Sequence, residues 1–98
     1  MPVGMTLLPL TSDIRSQLGL SGGPPGVVVT DVVPGSQADD SGMRTGDIIE
    51  RVAGEPVASP AQVFRDIAIA QEQGREAVPL EIQRGGGKYY VGFKLPAG

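Results

Sequence analysis

The residues in this chain best placed to hold a ligand are Val3, Gly4, Met5, Thr6 and Leu7, near its start. Gly4 lets the backbone turn so that successive amide hydrogens can point at one anion. Met5 and Leu7 alternate with Thr6 in the pattern of a half-buried strand. Pro9 has no N–H to give to a ladder, which puts this strand at the margin of a sheet. An anion-binding turn beside an open strand edge suits the capture of a peptide C-terminus, whose carboxylate meets the turn while its backbone adds a strand.

Other chemistry has little to work with. The chain has no histidine and no cysteine, so the commonest general base, the commonest metal ligand, disulfides and thiolate sites are all absent. A Ser–Lys pair is disfavoured because Lys88 and Lys94 lie on the last strand with no serine near them in sequence. The expectation is a chain that is not itself an enzyme, with no metal and no cofactor. The net charge of −3 argues against a nucleic-acid partner. No apolar run approaches the ~20 residues of a membrane span, and no signal peptide is recognisable, so no membrane insertion is expected.

The elements that must position the turn follow in order. The 98 residues suit a single domain spanning 1–98. Fifteen glycines and nine prolines predict many turns and short strands. Thr11 or Ser12 caps a short helix with Ile14 and Leu18 on one face and a stop at Gly19. The segment 21–26 reads as a loop. Gly26–Val33 is the strongest strand, β-branched nearly throughout as a central strand should be. Ser36 caps one helical turn that Gly42 closes, and Met43 returns to the core. Arg44–Asp47 is a turn, Ile48–Val52 a strand, and Ala53–Pro56 a tight turn. Ser59-Pro60 opens a helix that stops at Gly74. Its apolar residues form two adjacent stripes, Ala61/Phe64/Ala68 and Val63/Ile67/Ala70. Either one stripe faces the core while the other lines a groove, or both are core. Ala77–Arg84 and Lys88–Leu95 are strands joined at Gly85-Gly86-Gly87, with Tyr89 and Tyr90 expected to pack. The 96–98 end is expected to be a frayed end or linker. The sum is a mainly β (α+β) fold: a five- to six-stranded, partly open β-barrel or sandwich capped by two or three helices.

Four segments together resemble the PDZ domains of the HtrA/DegP (Do-like) bacterial serine proteases. They are the apolar-Gly-apolar turn Val3-Gly4-Met5, the strand and turn Gly26–Ser36 with Ala38, the signature Gly42-Met-Arg-Thr-Gly-Asp-Ile-Ile49, and the hairpin start Ile82-Gln-Arg-Gly85. The order of elements resembles the permuted bacterial form, in which the last strand closes the barrel. The resemblance implies a noncatalytic peptide-binding module, cut from a larger periplasmic serine endopeptidase and serving its substrate recognition. It also implies, as an alternative, a domain acting mainly in oligomer assembly or regulation of that protease. The implied partners are C-terminal or unfolded peptide segments and the parent protease domain, with the isolated domain a monomer.

Carried over from that family, the site would comprise Val3, Gly4, Met5, Thr6 and Leu7 on the strand and Val63, Ile67 and Ala70 on the long helix. Val3, Gly4 and Met5 would donate to the carboxylate. Val3, Met5, Leu7, Ile67 and Ala70 would wall the pocket for the last side chain. Val63 stands where many PDZ domains have a histidine, which implies an apolar preference two residues before the ligand's C-terminus.

Overall fold

The computed structural model of the protein describes residues 3–17, 19 and 25–95. Leu18, most of the 21–26 loop and the 96–98 end lie outside the described residues. The described residues form six strands: β1 (Met5–Pro9), β2 (Val27–Val32), β3 (Ile48–Val52), β4 (Glu55–Pro56), β5 (Ala77–Arg84) and β6 (Gly87–Lys94). Three helices accompany them: α1 (Ser12–Gln17), α2 (Gln37–Asp40) and α3 (Pro60–Glu72). All pairings are antiparallel, in the order β1-β2-β3-β5-β6, with β4 folded back onto β3.

The expected mixture of short strands and caps is what forms, but as an open sheet. The last strand does not close it: β1 and β6 lie at opposite margins. One end of β6 is covered by α2 instead. The Lys94 amide donates to Ser41 Oγ at 2.8 Å, and the Lys94 carbonyl accepts from Gln37 Nε2 at 3.1 Å.

Local chemistry explains the elements. Val27 and Val29 of β2 are fully buried, as a β-branched central strand requires. Ser36 Oγ accepts from the Asp39 amide at 3.2 Å and caps α2. Ser59 Oγ accepts from the Gln62 amide at 3.2 Å, while Gln62 Oε1 accepts from the Ala58 amide at 2.9 Å. This reciprocal cap, with Pro60 at the first helical position, fixes where α3 starts. The Arg75 amide reaches back to the Ala70 carbonyl at 3.2 Å to end it.

The β5–β6 hairpin turns on Gly85 and Gly86, both at positive φ (56° and 83°). Positive φ at both central positions is the type I′ turn, whose twist matches that of the flanking strands. The turn between β3 and β4 uses Ala53 (φ 52°) and Gly54 (φ 82°) in the same way, and the strand it creates, β4, is not apparent in the sequence pattern.

Tyr89 and Tyr90 do not pack as expected; they are 52% and 76% exposed. Tyr89 shares a sheet face with buried Ile82 opposite it, but it lies near the hairpin tip and its ring turns towards Gly87. Tyr90 lies on the outer face, where its hydroxyl donates to Glu81 Oε1 at 3.0 Å.

Candidate functional site

Strand β1 pairs with β2 and, among the described residues, with no other strand. The Leu10 amide donates to the Gly26 carbonyl at 3.0 Å, and the Gly4 carbonyl accepts from the Val33 amide at 2.7 Å. Even-numbered residues therefore address β2. Strand alternation turns the main-chain groups of Met5, Leu7 and Pro9 outwards. A bulge at Thr30 absorbs one extra residue on β2, where the Thr30 hydroxyl donates to the Thr6 carbonyl at 3.2 Å. The bulge lies on the partner strand, so it leaves this parity intact.

The turn before β1 is held by its carbonyls. The Val3 carbonyl accepts from the Ala38 amide at 3.1 Å, at the start of α2. The Gly4 carbonyl, besides its bond to Val33, lies 3.4 Å from the Ser36 hydroxyl that donates to it. Among the described residues, no main-chain carbonyl accepts from the amides of Val3 or Gly4. Gly4 adopts φ 88°, and a β-carbon at that position would fall on the Ser36 side chain. Glycine is thus required twice, for its backbone conformation and for the space.

The side chains beside this edge are largely closed over. Val3, Met5 and Leu7 belong to the hydrophobic core and are under 10% exposed. Thr6 points to solvent and Leu8 is 45% exposed.

Helix α3 divides its two stripes in the opposite sense to the one carried over from the resemblance. Val63, Ile67 and Ala70 are 0%, 2% and 3% exposed. They are core side chains and do not form an open wall. Ala61, Phe64 and Ala68 are the exposed stripe, with Phe64 37% exposed. The physical reason is the helix's rotation on the sheet. An apolar arc wider than one stripe cannot be buried completely, and the β-branched Val63 and Ile67 fill the face that meets the sheet. The other flank, carrying Asp66 and Ile69, borders a cleft with Val52, Ala53 and Glu55 beside the β3–β4 turn. Phe64 and Ala68 therefore look away from that turn.

The Gly42–Asp47 signature has a structural role. Asp47 is 1% exposed. Its carboxylate accepts from the Arg44 amide at 2.9 Å and forms a two-point pair with Arg84: Nε to Oδ1 at 2.8 Å and Nη2 to Oδ2 at 2.7 Å. Arg84 Nη2 also donates to the Gly42 carbonyl at 3.0 Å. The hydrogen bond to Asp47 raises the pKa of the guanidinium above its ordinary value, and burial offsets part of that. The partnership of Arg84 was missed in the sequence. The available signal was that a buried aspartate in a turn needs a cation. Among the described residues, no group of three or more acidic side chains is placed to hold a metal ion. No described helix is long and apolar enough to cross a membrane.

The fold recurs among known proteins. A protein of Brucella suis biovar 1 (strain 1330) named "Probable periplasmic serine endoprotease DegP-like" is 39% identical over 70 residues, covering 71% of this chain and 14% of the relative. The chain thus spans about one seventh of the length of that relative. The crystal structure of the HtrA3 PDZ domain bound to a phage-derived ligand (FGRWV) superposes with a TM-score of 0.75 at 22% identity, covering 95% of this chain and 82% of that one. The HtrA-type protease AlgW with decapeptide gives 0.73 at 22% identity, covering 97% and 30%. The PDZ domain family model matches residues 28–84, from β2 to the end of β5, and with the edge strand, capping helices and turn described above the chain belongs to the PDZ domain family.

Proposed function

We propose that the chain is a noncatalytic peptide-binding module that takes an extended segment, ending in a free carboxylate, along the outer edge of β1. The observation that carries this reading is the orientation of main-chain donors. The amides of Val3 and Gly4 have no main-chain acceptor among the described residues, and strand parity turns those of Met5 and Leu7 to the same open margin. A carboxylate at the turn would collect charge-assisted bonds, each worth roughly 1.5–3 kcal/mol. Thr6 faces solvent beside the incoming strand.

The far wall of the groove is the Ala61/Phe64/Ala68 flank of α3, because the opposite flank is turned to the β3–β4 side. Val63, Ile67 and Ala70 support that wall from the core. Met5, Leu7 and Phe64 must yield some of their packing for a ligand side chain to enter. Peptide-bound relatives with the same fold support the reading. The parent is proposed to be a periplasmic serine protease of the HtrA type, with this domain selecting its substrates. The test is chemical-shift mapping with a peptide ending in an apolar residue and with its C-terminally amidated twin. Strong shifts at Gly4, Met5 and Leu7 with the free acid, largely lost on amidation, are expected. Equal binding of the two peptides would refute carboxylate recognition. No binding of either would favour a role in assembly or regulation of the parent.

A further inference from the structure

A separate cavity shares no lining residue with the groove or the α3 cleft described above. It measures about 170 Å³ and is lined by Pro25, Glu50, Arg51, Pro56, Glu81 and Lys88. Its acidic groups are not equivalent. Glu81 is fully engaged: Arg51 Nε lies 3.2 Å from Oε2, and the Tyr90 hydroxyl donates to Oε1 at 3.0 Å. Glu50 is the extra residue of a bulge in β3, between Ile49 and Arg51 in the pairing with β5. It is only 5% exposed, and its Oε1 is buried with no hydrogen-bond donor. The nearest cation, Lys88 Nζ, is 3.7 Å from that oxygen, within ion-pair range but too far for a hydrogen bond. The Lys88 side chain is 65% exposed and sits on the marginal strand β6, so it can swing to water at small cost.

We propose that this cavity is a binding site for a guanidinium group, such as an arginine side chain of a partner protein, which takes the place of the Lys88 ammonium at Glu50. A buried carboxylate oxygen without a donor is costly, and a charge-assisted bond removes that cost. A guanidinium brings donors in a fixed planar fork suited to a carboxylate, where an ammonium is a point charge. The aliphatic stem of an arginine would find apolar lining in Pro25 and Pro56. Arg51 does not compete, because it is committed to Glu81 and to the Gly54 carbonyl.

The test uses the whole chain and N-acetyl-arginine amide, with N-acetyl-citrulline amide as an uncharged twin of nearly the same shape. Amide shifts are followed by titration. The arginine compound is expected to give saturable shifts at Glu50, Arg51 and Lys88, with none at Met5 or Leu7, and the citrulline compound none. Lys88→Ala is expected to strengthen binding, and Glu50→Gln to weaken it about tenfold or more. Absence of saturable shifts, equal shifts with citrulline, or binding unchanged by Glu50→Gln overturns the proposal. If Glu50→Gln fails to fold, the wild-type comparison of the two compounds and the Lys88→Ala result decide it. Because β1 is monitored in the same spectra, failure here is distinguishable from failure of peptide binding at the groove.

Discussion

Gly4 and Ser36 lie so close that a β-carbon on the first would coincide with the side chain of the second. This contact joins the turn before β1 to the cap of α2, so it sets the position of the Val3 and Gly4 amides. Gly4→Ala combines a steric overlap with a positive φ of 88°. Its expected cost is about 2 kcal/mol or more, from overpacking and left-handed strain together. Ser36→Gly in the Gly4→Ala background removes the overlap but leaves the strain. It should recover part of the loss, about 1 kcal/mol, as a non-additive term in a double-mutant cycle. Urea unfolding of the four proteins measures it, and strict additivity would show that the contact is not the cause.

The pair Asp47–Arg84 ties the turn before β3 to the end of β5. Removing the guanidinium leaves a carboxylate that is 1% exposed without its counter-ion. Arg84→Ala is therefore expected to destabilise by about 3 kcal/mol. Arg84→Lys keeps the charge but not the two-point geometry, and should fall between the two. The guanidinium's raised pKa means that its contribution is complete below the unfolded value and is lost only as pH rises through the folded one. Both lie far above the neutral range, so the Arg84→Ala deficit should not change through pH 6–9 on account of this group. Urea midpoints across that range check it.

Tyr90 donates to Glu81, and that bond raises the pKa of its phenol above the ordinary tyrosine value. The neutral phenol is the form the fold favours. Its stabilising effect is present below about pH 10 and disappears as pH rises through the folded pKa. Glu81→Gln is expected to bring the Tyr90 ionisation midpoint down towards the ordinary value. Absorbance at alkaline pH, with Tyr89→Phe to isolate one ring, reads this directly. An unchanged midpoint in Glu81→Gln would show that the carboxylate is not the cause.

Much of this fold is legible in the sequence because local signals agree with tertiary ones. The β-branched run of β2 and the Ser59-Pro60 start of α3 both specify one structure at short range. The edge strand β1 was legible for a related reason: Gly4 frees the backbone to take a positive φ, and Pro9 withholds an amide from any ladder. What sequence could not resolve were choices made by neighbours distant in the chain. Both stripes of α3 are apolar, and only the rotation of the helix on the sheet decides that Ile67 is covered while Phe64 is left out. Tyr89 alternates correctly with Val91 and Phe93, yet periodicity carries no information about where the core stops along a strand. Arg84 is separated from Asp47 by two strands and a helix, so nothing local marks it as a partner.

The division of α3 can be tested with two substitutions. Ile67→Ala deletes a fully covered side chain and is expected to cost about 2–5 kcal/mol of stability. Phe64→Ala removes a side chain that is 37% exposed, so its effect on stability should be much smaller. If Phe64 walls the groove, the same change weakens a peptide ending in valine or leucine by about tenfold. A Phe64→Ala protein with unchanged stability and unchanged peptide affinity would move the wall elsewhere.

Pro9 limits how far an added strand can run. It is outward-facing by the parity that turns Met5 and Leu7 outwards, and it has no amide hydrogen to offer. Its imide costs nothing on the inner side, because the even-numbered residues make the bonds to β2. A ligand ladder should therefore end after about four residues, the span covered by the turn, Met5 and Leu7. Pro9→Val supplies a donor at this point and suits a strand. It is expected to leave the affinity of a four-residue peptide unchanged and to raise that of an eight-residue peptide with the same terminus several-fold, the worth of one added neutral hydrogen bond of about 0.5–1.5 kcal/mol. Calorimetry with both peptides against both proteins separates the effects. A wild-type protein that already binds the longer peptide much more tightly, with protection of ligand amides upstream of the fourth residue, would mean that Pro9 does not end the ladder.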